Sequence, residues 1–157
     1  KVEPSKEHAW LAQLAGDWTF EAEATMEPGK EPEKVHGTHQ ALMLGGVWLL
    51  GEGEMPGGDV TKTLMTLGFD PARQRFVGSF IGSMMTHMWL YEGSLDAASK
   101  VLTLDTEGPS FTGDGAMAKY QDIIEVLGPD HHTLSSRSQG ADGQWHHFMT
   151  AHYRRKK

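Results

Sequence analysis

Apolar and polar residues alternate along most of this chain with a period of two. The clearest run is Asp17–Met26, where Trp18, Phe20, Ala22, Ala24 and Met26 share one face and Thr19, Glu21, Glu23 and Thr25 the other. That is the signature of a half-buried strand. Further strand segments are predicted over 34–44, 47–55, 60–69, 74–82, 86–95, 99–106, 116–127, 131–139 and 144–154. Turn-forming residues punctuate them: Glu27-Pro28-Gly29-Lys30-Glu31-Pro32, Gly45-Gly46, Pro56-Gly57-Gly58-Asp59, Asp70-Pro71, Asp96-Ala97-Ala98, Gly108-Pro109, Gly128-Pro129-Asp130 and Gly140-Ala141-Asp142-Gly143. One stretch departs from this period. Trp10, Leu11 and Leu14 are spaced for one face of a helix, with Ser5 as its N-cap and Gly16 where a left-handed C-terminal cap is wanted.

Ten strands on short links, with no helices between them, argue for a meander and against a parallel sheet. An open sheet of that kind would leave two bare edges, and closure removes them. The expected fold is therefore all-β: a ten-stranded antiparallel up-and-down β-barrel, one domain over 1–157, with a short N-terminal helix as lid or plug. A ten-stranded barrel is wider than the eight-stranded kind that side chains nearly fill. Ala22 and Ala24, with Gly78 and Gly82, also leave its interior short of bulk, so a cavity is expected.

Composition narrows the partners. Of 157 residues, 14 are Lys or Arg and 21 are Asp or Glu, a formal charge of −7. Such a chain repels nucleic acid and anionic lipid on average. The one basic run, Arg154-Arg155-Lys156-Lys157, reads as a solvated tail. No apolar stretch nears the ~20 residues of a membrane span. The expected partner is a small-molecule ligand, with no nucleic acid and no membrane span; the oligomeric state stays open. The absence of cysteine removes disulfide scaffolds, thiolate zinc sites, Cys nucleophiles and iron–sulfur clusters. The sequence starts at Lys1 rather than Met, so an expected cytoplasmic location stands beside that of a leader removed upstream.

Two sets of residues bring in resemblances. Gly16-Asp17-Trp18, at the junction of helix and first strand, resembles the Gly-x-Trp motif that opens lipocalin-like (calycin) barrels. The resemblance implies that Trp18 plugs the barrel floor against an Arg of the last strand, Arg154 or Arg155. From His8-Ala9-Trp10-Leu11 to its end, the chain also resembles the bacterial family called domain of unknown function 1579. The motifs concerned are Leu67-Gly68-Phe69-Asp70-Pro71, Gly82-Ser83-Met84-Met85-Thr86-His87-Met88-Trp89, Tyr91-Glu92-Gly93, Ala118-Lys119-Tyr120-Gln121-Asp122-Ile123-Ile124-Glu125 and Phe148-Met149-Thr150-Ala151-His152-Tyr153-Arg154-Arg155. This second resemblance implies the same barrel, no established activity and no catalytic residues to carry over.

The familiar catalytic patterns are missing: no Gly-x-Ser-x-Gly, no phosphate-cradling glycine loop and no His-Glu-x-x-His. There is no His-x-His to set two imidazoles on one strand face, and no metal site is predicted. His131-His132 and His146-His147 are adjacent, so each pair offers one inward ligand at most. Over 116–127, Lys119, Gln121 and Glu125 form a solvent face, which turns Tyr120, Asp122, Ile124 and Val126 inward. An enclosed Asp122 must be hydrogen-bonded, paired or raised in pKa. It is an acid–base or ligand-anchoring candidate; alternatively, it accepts bonds from a nearby Arg or Tyr and does no chemistry. Over 86–95, His87, Trp89 and Tyr91 share a face suited to an organic ligand, or simply pack the barrel, and Met88 and Leu90 then face solvent. Over 144–154, the inward set is Trp145, His147, Met149, Ala151 and Tyr153. The expected function is binding of a small, mainly apolar or amphiphilic molecule by Phe20, His87, Trp89, Tyr91, Tyr120, Asp122 and His147. No cofactor is predicted on that reading. Two alternatives stay open. One is haem, by resemblance to nitrobindin-like barrels, which share the ten-strand form, the early Gly-x-Trp and a late-strand His ligand; the match here is His147, or else His152. The other is a small-molecule enzyme using Asp122 and His87.

Overall fold

The computed structural model describes residues 2–25 and 29–157. The inward position expected of Met26, and the turn residues Glu27 and Pro28, lie outside them. One helix, α1 (Lys6–Ala12), precedes ten strands: β1 (Gly16–Ala24), β2 (Glu33–Leu44), β3 (Trp48–Met55), β4 (Thr61–Asp70), β5 (Arg75–Gly82), β6 (Trp89–Leu95), β7 (Val101–Pro109), β8 (Met117–Gly128), β9 (His131–Gln139) and β10 (Trp145–Arg155). Each strand pairs antiparallel with the next, and β1 pairs with β10 to close the barrel. This helix is not long and apolar enough to cross a membrane.

Period two decides which side chains enter the lumen. In β1, Trp18, Phe20 and Ala22 are buried while Thr19, Glu21 and Glu23 are exposed. Register carries the inward set around the wall, because directly paired residues share a face. Phe20 lies opposite Gly37 on one side and Tyr153 on the other. Asp122 lies opposite Leu104 and Ser136.

One end of the barrel is solid. Trp10, Leu11, Leu14, Leu49, Leu67, Phe76, Leu102, Leu104 and Ile124 form its core under α1. Ser5 caps the helix in a capping box with His8, and the Trp10 indole N–H donates to the Ser99 carbonyl at 2.7 Å. Trp18 plugs the floor. It is 1% exposed, donates its N–H to the Leu14 carbonyl at 3.0 Å, and carries the Arg155 guanidinium over its ring at 4.2 Å. Arg155, not Arg154, is thus the floor arginine. It donates to the carbonyls of Ala15, Gln13 and Pro129, which corrects its reading as part of a solvated tail.

Two further expectations change. The helix ends at Gln13 in right-handed geometry, with single-turn bonds from Leu14 to Leu11 and from Ala15 to Ala12. Gly16 is therefore no helix cap. It opens β1 at φ +128°, and a Cβ there would collide with the Arg155 guanidinium. The strand expected over 86–95 starts only at Trp89, after a turn at Ser83–Met84.

Candidate functional site

Beyond the floor, the lumen holds a polar group of six. Asp122 lies deep in the barrel and accepts the Ser136 hydroxyl at 2.6 Å on one oxygen and the Tyr91 hydroxyl on the other. Burial pushes its carboxyl above the usual range, against the pull of those two donors. Burial, then the Asp122 charge, raises the Tyr91 hydroxyl well above its ordinary value. Tyr153 is raised for the same two reasons. His132 stacks on Tyr153, with ring centroids 4.8 Å apart and planes within 6°, and meets Trp18 edge-on at 4.4 Å. His39 meets Tyr153 edge-on at 5.4 Å. Its ring lies over Gly51, where any Cβ would strike the imidazole. Desolvation lowers His39 to about 4 and His132 to about 3, the latter also by the nearby His39, so both are neutral at physiological pH.

Two observations show that there is space around these groups. Asp122, Tyr153 and His39 have protein on nearly every side, yet each keeps accessible surface. Among the described residues, the ring nitrogens of His39 and His132 and the Tyr153 hydroxyl make no hydrogen bond, yet none of these atoms is sealed off. Among the described residues the one sealed, unpartnered side-chain polar atom is Thr106 Oγ1. Unpartnered polar atoms that keep accessible surface, as those of His39, His132 and Tyr153 do, border water or a ligand.

The wall is also split. β6 and β7 pair only from Glu92↔Asp105 to Leu95↔Leu102, so Trp89–Tyr91 and Thr106–Pro109 stand apart. A groove of about 870 Å³ opens there, bordered by His87, Tyr91, Thr106, Tyr120 and Trp145. Across it the His87 Nε2 meets the Glu107 carbonyl oxygen at 3.0 Å. Trp89 packs over Gly108, where a Cβ would collide with the indole. It also donates its N–H to Met85 Sδ at 3.0 Å.

The structure therefore separates the residues singled out from the sequence. Phe20, Tyr91, Tyr120 and Asp122 face inward, with the Tyr120 hydroxyl donating to the Pro109 carbonyl at 2.5 Å. Trp89 and His87 sit at the split, His87 just before its strand, and no hydrogen bond links His87 to Asp122. His147 is a correction. It is exposed on the outer face beside Thr150, 2.6 Å from its hydroxyl. Pairing slips by one residue between His147 and Met149. This bulge inverts the alternation, since an extra residue in one strand reverses every face upstream of it. Met149, Ala151 and Tyr153 face in as expected, while Trp145 turns out under Arg137 at 5.1 Å. His152, the other late-strand histidine, is also exposed, its Nδ1 2.9 Å from His131 Nε2. Both matches for a haem ligand thus lie on the outer surface.

Sequence reasoning missed His39, His132, Ser136 and Tyr153 as members of one group. The signal for His132 was present, because adjacent histidines on a strand put one ring inside. His39 had only weak company in Gly37 and Ala41. Among the described residues, no three His, Asp or Glu side chains are placed to hold a metal ion.

The sequence matches the family model described as protein of unknown function (DUF1579) over residues 3–155. No curated protein matches it. Rv2717c from M. tuberculosis has a similar structure, with TM-score 0.65 and 12% identity over 99% of this chain and 100% of that one. The S-type phycobiliprotein lyase CPES from Guillardia theta is similar with TM-score 0.64 and 12% identity, over 96% of this chain and 93% of that one. At such identity, both likenesses are of fold.

Proposed function

This chain belongs to the DUF1579 family of proteins of unknown function, and we propose that its barrel binds a small, mainly apolar or amphiphilic molecule in the lumen. The observation that carries this reading is the pairing of unpartnered polar atoms on His39, His132 and Tyr153 with accessible surface deep inside an aromatic and aliphatic wall. A ligand's apolar body lies against Phe20, Ala22 and Met149, and its polar end meets the imidazoles, Tyr153 and Asp122. Ligand pockets have this make-up: apolar lining with a few convergent polar groups. The proposed way in is the unpaired stretch between β6 and β7, which Trp89 spans by packing over Gly108, so entry there requires that ring to swing aside and leaves the floor closed. The phycobiliprotein lyase has a similar barrel, which is consistent with a ligand-holding scaffold and says nothing of which ligand.

The test uses N-phenyl-1-naphthylamine, an uncharged dye at neutral pH that brightens in apolar surroundings. Titrated into the protein, it is expected to brighten with saturation. Ala22→Trp should abolish the effect, because Ala22 and Ala151 face each other across the closing seam and a large ring there fills the lumen. No brightening in the wild type, or equal brightening in a folded Ala22→Trp, would overturn the proposal.

A further inference from the structure

The charges that face the lumen are one-sided. Register places the inward positions of every strand, and among the described residues they contain no Lys or Arg except Arg155, which turns to the floor carbonyls. Lys34, Lys62, Lys100, Lys119, Arg73, Arg75 and Arg137 all alternate onto the outer face or lie in the links. The inward acids are Asp122 at mid-depth and Glu33, paired with Ala24, at the rim. The remaining enclosed titratable groups are Tyr91, Tyr120, Tyr153, His39 and His132, all neutral near pH 7; His146, opposite Ser138, is on the same face at the exposed rim, beside Asp142.

We propose that the lumen ligand is a cation, an organic amine whose ammonium lies beside Asp122. This rests on the lumen being the binding site. Three features of the site favour a protonated amine over other polar ends. First, Asp122 has no cationic partner in the protein. Its two bonds come from neutral hydroxyls, which steady a carboxylate without neutralising it. Second, the unpartnered imidazoles are acceptors as well as donors, and the Tyr153 oxygen accepts too, so an ammonium finds further acceptors for its three N–H groups. Third, the walls present the rings of Tyr91, Tyr153, Trp89 and Phe20, whose faces attract cations. A carboxylate ligand would meet Asp122 with no intervening positive charge, which a low-dielectric interior penalises. A neutral alcohol would satisfy the imidazoles and leave Asp122 uncompensated.

Calorimetric titration at pH 7.5 with n-octylamine, n-octanol and octanoate separates these cases, since the three share one apolar chain. The expected result is octylamine binding at least tenfold more tightly than octanol, and octanoate weaker still. Asp122→Asn should bring octylamine to within about twofold of octanol. Should that variant misfold, the wild-type ranking decides alone, with Tyr153→Phe as the second variant, expected to weaken octylamine severalfold. If octanol or octanoate binds as tightly as octylamine, or if the naphthylamine dye binds and octylamine does not, the cation assignment is wrong and the lumen reading stands. If the dye does not brighten, the lumen reading falls and the cation assignment falls with it.

Discussion

Replacing Trp18 by Ala tests the floor of the barrel, on which the lumen depends. The indole is 1% exposed, the largest fully buried side chain. Its removal leaves a cavity that its neighbours are not free to fill. Arg155 is pinned by three backbone carbonyls, and His132 is held flat against Tyr153. Large-to-small changes at such rigid sites cost about 3–5 kcal/mol for Trp or Phe to Ala. The lost bond to the Leu14 carbonyl and the lost cation–π contact with Arg155 lie within the upper part of that range. In a domain of this size about 1 kcal/mol moves the midpoint by roughly 2–4 °C, so Tm should fall by roughly 6–20 °C. Trp18→Phe keeps most of the ring and loses mainly the N–H bond, costing about 1 kcal/mol beyond its smaller volume. Trp145→Ala is the control. That ring is outward and touches Arg137, so its loss should cost under about 1 kcal/mol. Circular dichroism melts and urea titrations of the three variants give the comparison. A Trp18→Ala protein within 1 kcal/mol of wild type, or one no worse than Trp145→Ala, would refute the plugged floor.

Two further outcomes follow from groups described above. His132 titrates at about 3 in the fold against 6.5 when free. Between those values the unfolded chain takes up a proton that the fold refuses, so stability is full above about pH 6.5 and declines on acidification until about pH 3. At pH 4.5 the loss relative to pH 7.5 should be on the order of 2–3 kcal/mol from His132, with His39 adding to it. Asp122, raised in the fold, opposes the decline by taking up a proton there first. Urea unfolding at the two pH values reads this directly, and equal stabilities would show that the inner imidazoles are not desolvated. Thr106→Val removes the sealed hydroxyl that has no partner while keeping its shape. It should leave stability unchanged or raise it by up to about 1 kcal/mol; a loss of more than 1 kcal/mol in thermal melts would reveal a hidden partner.

The strands and turns were legible because period two is a direct consequence of a wall with one side packed and the other wet. In β1 and β8 the two faces differ in polarity, and both strands face as their alternation predicts. β2 is different: His36, Thr38 and Gln40 alternate with Gly37, His39 and Ala41, so neither face reads as apolar and His39 gives no sign of its direction. β10 fails for another reason. Alternation is a local rule, and the bulge before Met149 resets its phase without any Gly or Pro to mark it. The site also draws on β1, β2, β6, β8, β9 and β10 at once. Only register, which no single segment contains, brings His39, Tyr153, His132 and Asp122 together.

The closing seam has a consequence for how the barrel assembles. Every other wall contact joins a strand to its sequence neighbour, so nine hairpins can zip locally, whereas β1 meets β10 across nearly the whole length of the chain, Trp18 opposite Arg155. Local pairings form fast and the distant one waits on diffusion of the two ends. Until it forms, the chain is a curled sheet with bare edges at Trp18–Ala24 and Met149–Arg155, and another copy in the same condition can satisfy either edge. Refolding yield should therefore fall as protein concentration rises. A lumen ligand cannot rescue the slow step, because its site exists only once the seam has closed.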